Sequence, residues 1–342
     1  MRIELRIEVT DKYKKRLSRI GGMFPVGADS FYSREQHTRR VVRISEEIRS
    51  RHFSHLPFYR VLELSSRHDL GRMPFVHYFE MYLKRNGFDI NQLPHQVYQM
   101  LASGVSRGLV NASFLLHDTS ELEVSNEGFI SQGKRIAEFT EEAQIARLVY
   151  YADKLTGIIE DIILGYKLGY FDNNIPEGIE IAENGLPWGF LQIFSIDPVL
   201  AKKICDCSMH KFNDTVVEVA WRHLLELDLS GISSEKVKKL EAHIFRLSQL
   251  FRKGIMEPVI FVKQREDVDY DNLCSEIFGP VIAYLMDIHR QNKYSVLQAL
   301  LNMDEEEFLD IANTTLKLKN QVSRFKARLR NVQERWKPET GQ

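Results

Sequence analysis

The chain lacks most of what would place it outside the ordinary globular proteins. Its 342 residues hold only 3 cysteines, too few for a disulfide framework at this length. No apolar run approaches the roughly 18 residues of a membrane span. The opening MRIELRIEVT has no apolar core of the kind a signal peptide carries. With 19 glycines and 10 prolines, the chain has too few of either to be disordered or fibrous. An excess of one charge is missing as well. Lys and Arg number 46 against 47 Asp and Glu, a net charge of −1, so nothing global draws the chain to nucleic acid or an anionic membrane. There is no internal repeat and no low-complexity tract. What is present, 44% apolar and 27% charged residues, is the composition of a soluble protein with a sizeable core. The expectation is a cytoplasmic protein of one large domain or two ordinary ones.

Hydrophobic spacing predicts a mostly α-helical chain with a minor β element. Ile3, Leu5, Ile7 and Val9 alternate with Glu4, Arg6 and Glu8, the period of a half-buried strand. Val259, Ile260, Phe261 and Val262 are its candidate partner. Elsewhere the period is helical. Val41, Ile44 and Ile48 share a face, as do Val61, Leu64 and His68, and Ile145, Val149 and Asp153. Leu155, Ile158, Ile159, Ile162 and Ile163 extend the third of these stripes. A Gly-, Pro- and Asn-rich stretch at 172–190 reads as a long loop or lid. The expected division is a core at 1–170 and a helical C-terminal region at 171–342. Near the end, Leu318, Val322, Phe325, Leu329, Val332 and Trp336 step by four and three with basic residues between them. Either the seam packs on the body with its basic face solvated, or it makes an oligomer contact or a phosphate-binding surface.

Three stripes carry groups that do not belong in hydrocarbon. His37 precedes Val41 by four residues, His68 follows Leu64 by four, and Asp153 follows Val149 by four. Residues four apart on a helix share a face. Three helices would then aim imidazole or carboxylate inward, and burying such groups unpaired is costly. A divalent metal ion removes that cost, because imidazole nitrogen and carboxylate oxygen are its ligands.

The order of these residues, H…HD…D, resembles that of the HD-domain metal-dependent phosphohydrolases. HDLGRMPFVH at 68–77 is similar to the HDLGHxPFxH segment of the dGTPase and dNTP triphosphohydrolase branch. RLSRI at 16–20, FPVGA at 24–28 and REQH at 34–37 resemble that branch's opening words, and EAQIARL at 142–148 followed by Ala152-Asp153 resembles its EAQI…AD helix. The resemblance spans roughly residues 12–165 and implies an HD-domain catalytic core. It implies that His37, His68, Asp69 and Asp153 hold a divalent ion (Mn, Fe, Co, Ni, Zn or Mg). It implies that Arg34 faces the phosphates of a nucleotide, His77 and His95 act on protons, and Asp161 lies near the sugar; Arg72, which departs from the family word, either adds a phosphate contact or fills the pocket. The resemblance further implies release of a nucleoside and intact triphosphate. A homo-oligomer is also expected, with the C-terminal region completing the pocket or the oligomer.

The family pattern is not kept throughout. Arg72 stands where the family has His, Gly157 where it has Tyr, and Glu160 where it has the His of a second HD pair. Two rivals follow. One is another HD-type phosphomonoesterase or phosphodiesterase; the other is a non-catalytic nucleotide- or nucleic-acid-binding protein. Weaker motifs read as structural. His117-Asp118 lacks the flanking words. GFISQGK at 128–134 ends in Arg135 where a P-loop needs Ser or Thr. Cys205, Cys207 and His210 fit no zinc spacing. Arg39, Arg40 and Arg43 read as a solvated face beside His37 or as a positive funnel toward it.

Overall fold

Helices dominate the computed structural model, which describes residues 32–70, 73–88, 103–110, 112, 124–125, 128–131, 134–135, 140–172 and 175–335. In chain order these are α1 (Arg34–His52), α2 (Phe58–Ser65), α3 (Val76–Arg85), β1 (Val124–Ser125), β2 (Gly128–Ser131), β3 (Lys134–Arg135) and α4 (Glu141–Lys167). There follow α5 (Trp188–Ile193), α6 (Pro198–Cys205), α7 (Phe212–Glu226) and α8 (Ser233–Leu247). The last are α9 (Phe261–Val268), α10 (Tyr270–Leu273), α11 (Gly279–Ile288), α12 (Lys293–Leu301), α13 (Glu305–Asp310) and α14 (Lys319–Arg335). Among the described residues no helix is long and apolar enough to cross a membrane.

The chain separates into two units, each discontinuous in sequence. One comprises residues 1–37, 69–103 and 262–337, and the other residues 38–68, 104–261 and 338–342. In the first, five phenylalanines make the core. The Phe75 ring lies 5.2, 5.5 and 5.8 Å from those of Phe278, Phe308 and Phe325. Phe79 meets Phe278 at 4.8 Å and Phe308 at 5.0 Å. Phe75 itself is left-handed, φ 56°, and its N–H donates to Glu305 Oε1 at 3.2 Å. The C-terminal seam packs within this unit. Val322, Phe325 and Val332 are buried, and Arg324 and Arg328 on the outer side pair with Glu276 at 2.8 Å and Asp269 at 2.6 Å.

In the second unit α4 is central. Thr140 caps it, its Oγ1 accepting from Ala143 N at 3.2 Å, and Glu141 and Glu142 begin it while Lys167 ends it. At 27 residues it is roughly 40 Å long. From 143 to 165 it is buried all round except at Asp153, Lys154 and Gly157. A helix apolar on every face is one packed on every face; α2, α7 and α8 lie against it. Gly165 permits a close approach, since a Cβ there would sit 3.3 Å from Ile260 and Phe171.

One expectation needs correction. Residues 259–262 are helical, not a strand. Ser248–Ile260 is a wide-turned continuation of α8 that runs into α9. Ile255, Met256, Val259 and Ile260 are buried, a helical stripe of which the short apolar run is only the end. Such runs do not separate strand from helix by period. Among the described residues a small β element lies at β1–β3, antiparallel with Val124 opposite Phe129 and Ile130 opposite Arg135. The described part of the P-loop-like word is paired strand, with Lys134 in β3 opposite Ser131. The alternating segment 3–9 and His117-Asp118 lie outside the described residues. Of the expected loop at 172–190, the described part turns back through an Ile181–Pro187 bridge before α5.

Candidate metal centre

The site begins with α1. Ser33 Oγ accepts from Gln36 N at 3.3 Å, which places the helix start just ahead of His37. Val41, Ile44 and Ile48 are buried, so the face that carries His37 turns inward as its spacing predicts. α2 brings the second imidazole in another way. The helix stops at Ser65, and the Ser66 N–H and hydroxyl both donate to the Leu62 carbonyl, at 3.0 and 2.6 Å. His68 therefore sits in the turn beyond α2 and not on its stripe. The turn still buries it, at 3% exposure, and its Nδ1 lies 2.7 Å from the Ser65 carbonyl. α4 supplies Asp153 at one of its few openings.

Ligand atoms of His37, His68 and Asp153 all lie within 4.8 Å of one another. His68 Nε2 is 3.6 Å from Asp153 Oδ1, with side-chain exposures of 3% and 14%. A carbonyl can only accept, so Nδ1 carries the hydrogen shared with Ser65, and Nε2 faces the Asp153 carboxylate. A divalent ion, or a proton on the ring, satisfies this pair. An imidazole oriented by a backbone carbonyl is the usual arrangement of a metal-ligating histidine. The donor set thus fits a divalent ion, and nitrogen with carboxylate suits Mn, Fe, Co, Ni or Zn.

Asp69 stands beside this group. Its Oδ2 lies 3.8 Å from His37 Nε2 and accepts from Arg34 Nη1 at 3.1 Å, with both side chains buried. Arg34 is thereby engaged with a carboxylate in this structure. Asp161 is buried on α4, two turns past Asp153. His77 is the second residue of α3, and its side chain, like Arg72 and His95, lies outside the described residues.

Sequence reasoning missed several neighbours. Arg40 is not on a solvated face; it is 3% exposed, its Nε 2.5 Å from Glu160 Oε1, its Nη1 bonded to Asn213, and its guanidinium 5.3 Å from the Phe212 ring centre. Arg39 and Arg43 are exposed, as expected of that face. The signal was available: 37, 40, 44 and 48 form one helical stripe. Lys154 was also overlooked. It follows Asp153 at the opening of α4 and holds its Nζ 5.1 Å from the Tyr150 ring centre. One turn further, a Cβ on Gly157 would meet nothing within 4 Å, so space is open beside Asp153.

Behind Asp153, Tyr151 Oη lies 2.9 Å from His223 Nε2, and His223 Nδ1 lies 3.1 Å from the Ile193 carbonyl. Burial pushes His223 down to about 4. The ring is neutral near pH 7, so Nδ1 donates to the carbonyl and Tyr151 donates to Nε2. Burial likewise pushes the Tyr151 hydroxyl well above the usual phenol range.

Searches against protein-family models, curated proteins and solved structures find no match to this chain.

Proposed function

We propose that the chain is a metal-dependent phosphohydrolase of the HD type that acts on nucleotides, with deoxynucleoside triphosphates as the leading substrates and nucleoside plus triphosphate as the products. The observation that carries the reading is the convergence of His37, His68 and Asp153 from two helices and a turn, up to 116 positions apart in sequence. The words HDLGRMPFVH and EAQI…AD support it, because they are the segments from which His68 and Asp153 come.

Each residue has a chemical part. His37, His68 and Asp153 hold the ion. When bound, a divalent ion acidifies water and polarises a phosphoryl oxygen. Arg34 orients Asp69 beside His37, and its planar set of donors also suits phosphate oxygens. Arg72 follows Asp69 by three positions and is placed by sequence to add positive charge against the developing phosphate charge. His77 and His95 are the candidate donors of a proton to the leaving oxygen. Asp161 is the proposed contact for the sugar. Open space at Gly157 leaves room for substrate beside Asp153. A homo-oligomeric state is part of the same reading.

A panel of nucleotides incubated with each of the candidate metals, with products separated by chromatography, tests the proposal. Inorganic triphosphate is the expected product. Orthophosphate or a linearised monophosphate would move the chain to another phosphohydrolase activity. No hydrolysis with any metal would remove the enzymatic reading.

A further inference from the structure

We propose that Arg40 and Glu160 are positioning residues of the metal centre: their buried ion pair fixes how α1 and α4, and through them His37 and Asp153, stand toward each other. The inference rests on the metal-binding reading of His37, His68 and Asp153, and not on any hydrolytic activity.

Helical arithmetic places the pair directly on the ligand-bearing faces. Arg40 follows His37 by three residues on α1, so both lie on one face. Glu160 follows Asp153 by seven on α4, two turns along the same face and about 10 Å away. Arg40 Nε meets Glu160 Oε1 at 2.5 Å, with side-chain exposures of 3% and 4%. The guanidinium is also held by Asn213 and lies over Phe212, both at the start of α7. Three contacts of different direction leave it little freedom.

Stability alone does not account for such a pair. Well-packed apolar residues of the same volume serve as well as a buried ion pair, because desolvation offsets the attraction. What charge and hydrogen bonding add is direction and a fixed separation, while hydrocarbon can slide. A metal centre needs that fixed separation, since outer residues that orient its ligands change affinity by roughly 10–100-fold.

The same helix offers a control. Arg147 Nε meets Glu241 Oε1 at 2.5 Å with side-chain exposures of 1% and 6%. That pair is equally buried and joins α4 to α8, which contributes no ligand to the group.

The test compares the intact wild-type chain with Glu160→Gln, Arg40→Lys and Glu241→Gln. Co²⁺ is titrated by calorimetry and by its visible absorption, and the Tm of each metal-free protein is measured in chelator. Glu160→Gln and Arg40→Lys are expected to weaken Co²⁺ binding by roughly 10–100-fold and to alter its absorption band. Glu241→Gln is expected to lower the metal-free Tm with Co²⁺ affinity and spectrum close to wild type. Arg40→Lys keeps the charge and carries the test should Glu160→Gln not fold. Folded Arg40 and Glu160 variants that bind Co²⁺ like wild type would overturn the inference. So would an equal loss in Glu241→Gln. Wild-type protein that binds no divalent ion would remove the metal reading itself, and this inference with it.

Discussion

His68 presents Nε2 to Asp153 Oδ1 at 3.6 Å while its Nδ1 is held 2.7 Å from the carbonyl of Ser65. The backbone thereby sets the aim of the ring and which nitrogen faces Asp153. The relationship does not depend on α2 continuing, because the turn that ends the helix is what places the imidazole.

Loss of one ligand should be felt more strongly than loss of an orienting group. Asp153→Ala is expected to weaken divalent-metal binding by more than about 100-fold, beyond the range typical of outer residues. Hydrolysis of nucleotides should fall with it. Calorimetric titration alongside a product assay checks both, and activity that survives Asp153→Ala rules out the proposed centre.

Acid should destabilise the fold through His223. Its folded value of about 4 lies below its ordinary 6.5 because burial disfavours the charged ring. The unfolded chain therefore takes up the proton first as pH falls. The contribution is fully present above pH 6.5 and is lost between 6.5 and about 4, amounting to roughly 3 kcal/mol at most. Urea unfolding at pH 7 and pH 4.5 measures it. In His223→Gln the difference between the two pH values should shrink; an unchanged difference would assign acid sensitivity to other groups.

The phenylalanine cluster should dominate the stability of its unit. Phe278 is fully buried and meets Phe75, Phe79, Tyr82 and Phe308 within 5.9 Å. Phe278→Ala is expected to cost about 3–5 kcal/mol, and Phe278→Leu distinctly less. Equal midpoints in denaturant for Phe278→Ala and wild type would mean that these rings contribute little.

The Arg147–Glu241 pair should respond asymmetrically. Glu241→Leu leaves the guanidinium buried without its carboxylate and is expected to cost about 3–5 kcal/mol. Arg147→Met added to Glu241→Leu should restore most of that loss. Additive losses in the double variant would contradict a buried-charge origin.

Periodicity made the helical scaffold legible. Val41, Ile44 and Ile48 on α1, and Ile145 and Val149 on α4, are all buried as their spacing predicts. It succeeded where an element carries one face to a core. It failed at 259–262, where four apolar residues are the tail of a longer helical stripe. His68 was located correctly for the wrong reason, since α2 ends at Ser65 and the imidazole sits in the turn beyond it, an end that the hydrophobic pattern does not show. Arg40 was obscured by its own charge: the stripe through 37, 44 and 48 includes it, but its partner Glu160 is 120 positions away. Pairings at that distance are set by tertiary packing, and no local spacing reports them.

Metal content measured on wild-type protein after dialysis against Co²⁺ or Mn²⁺, with His68→Ala and Asp153→Ala in parallel, tests the central claim most directly. The account predicts one bound ion per chain, absent from both variants while their metal-free folds persist. Wild-type protein without bound metal, or variants that retain the ion, would contradict it.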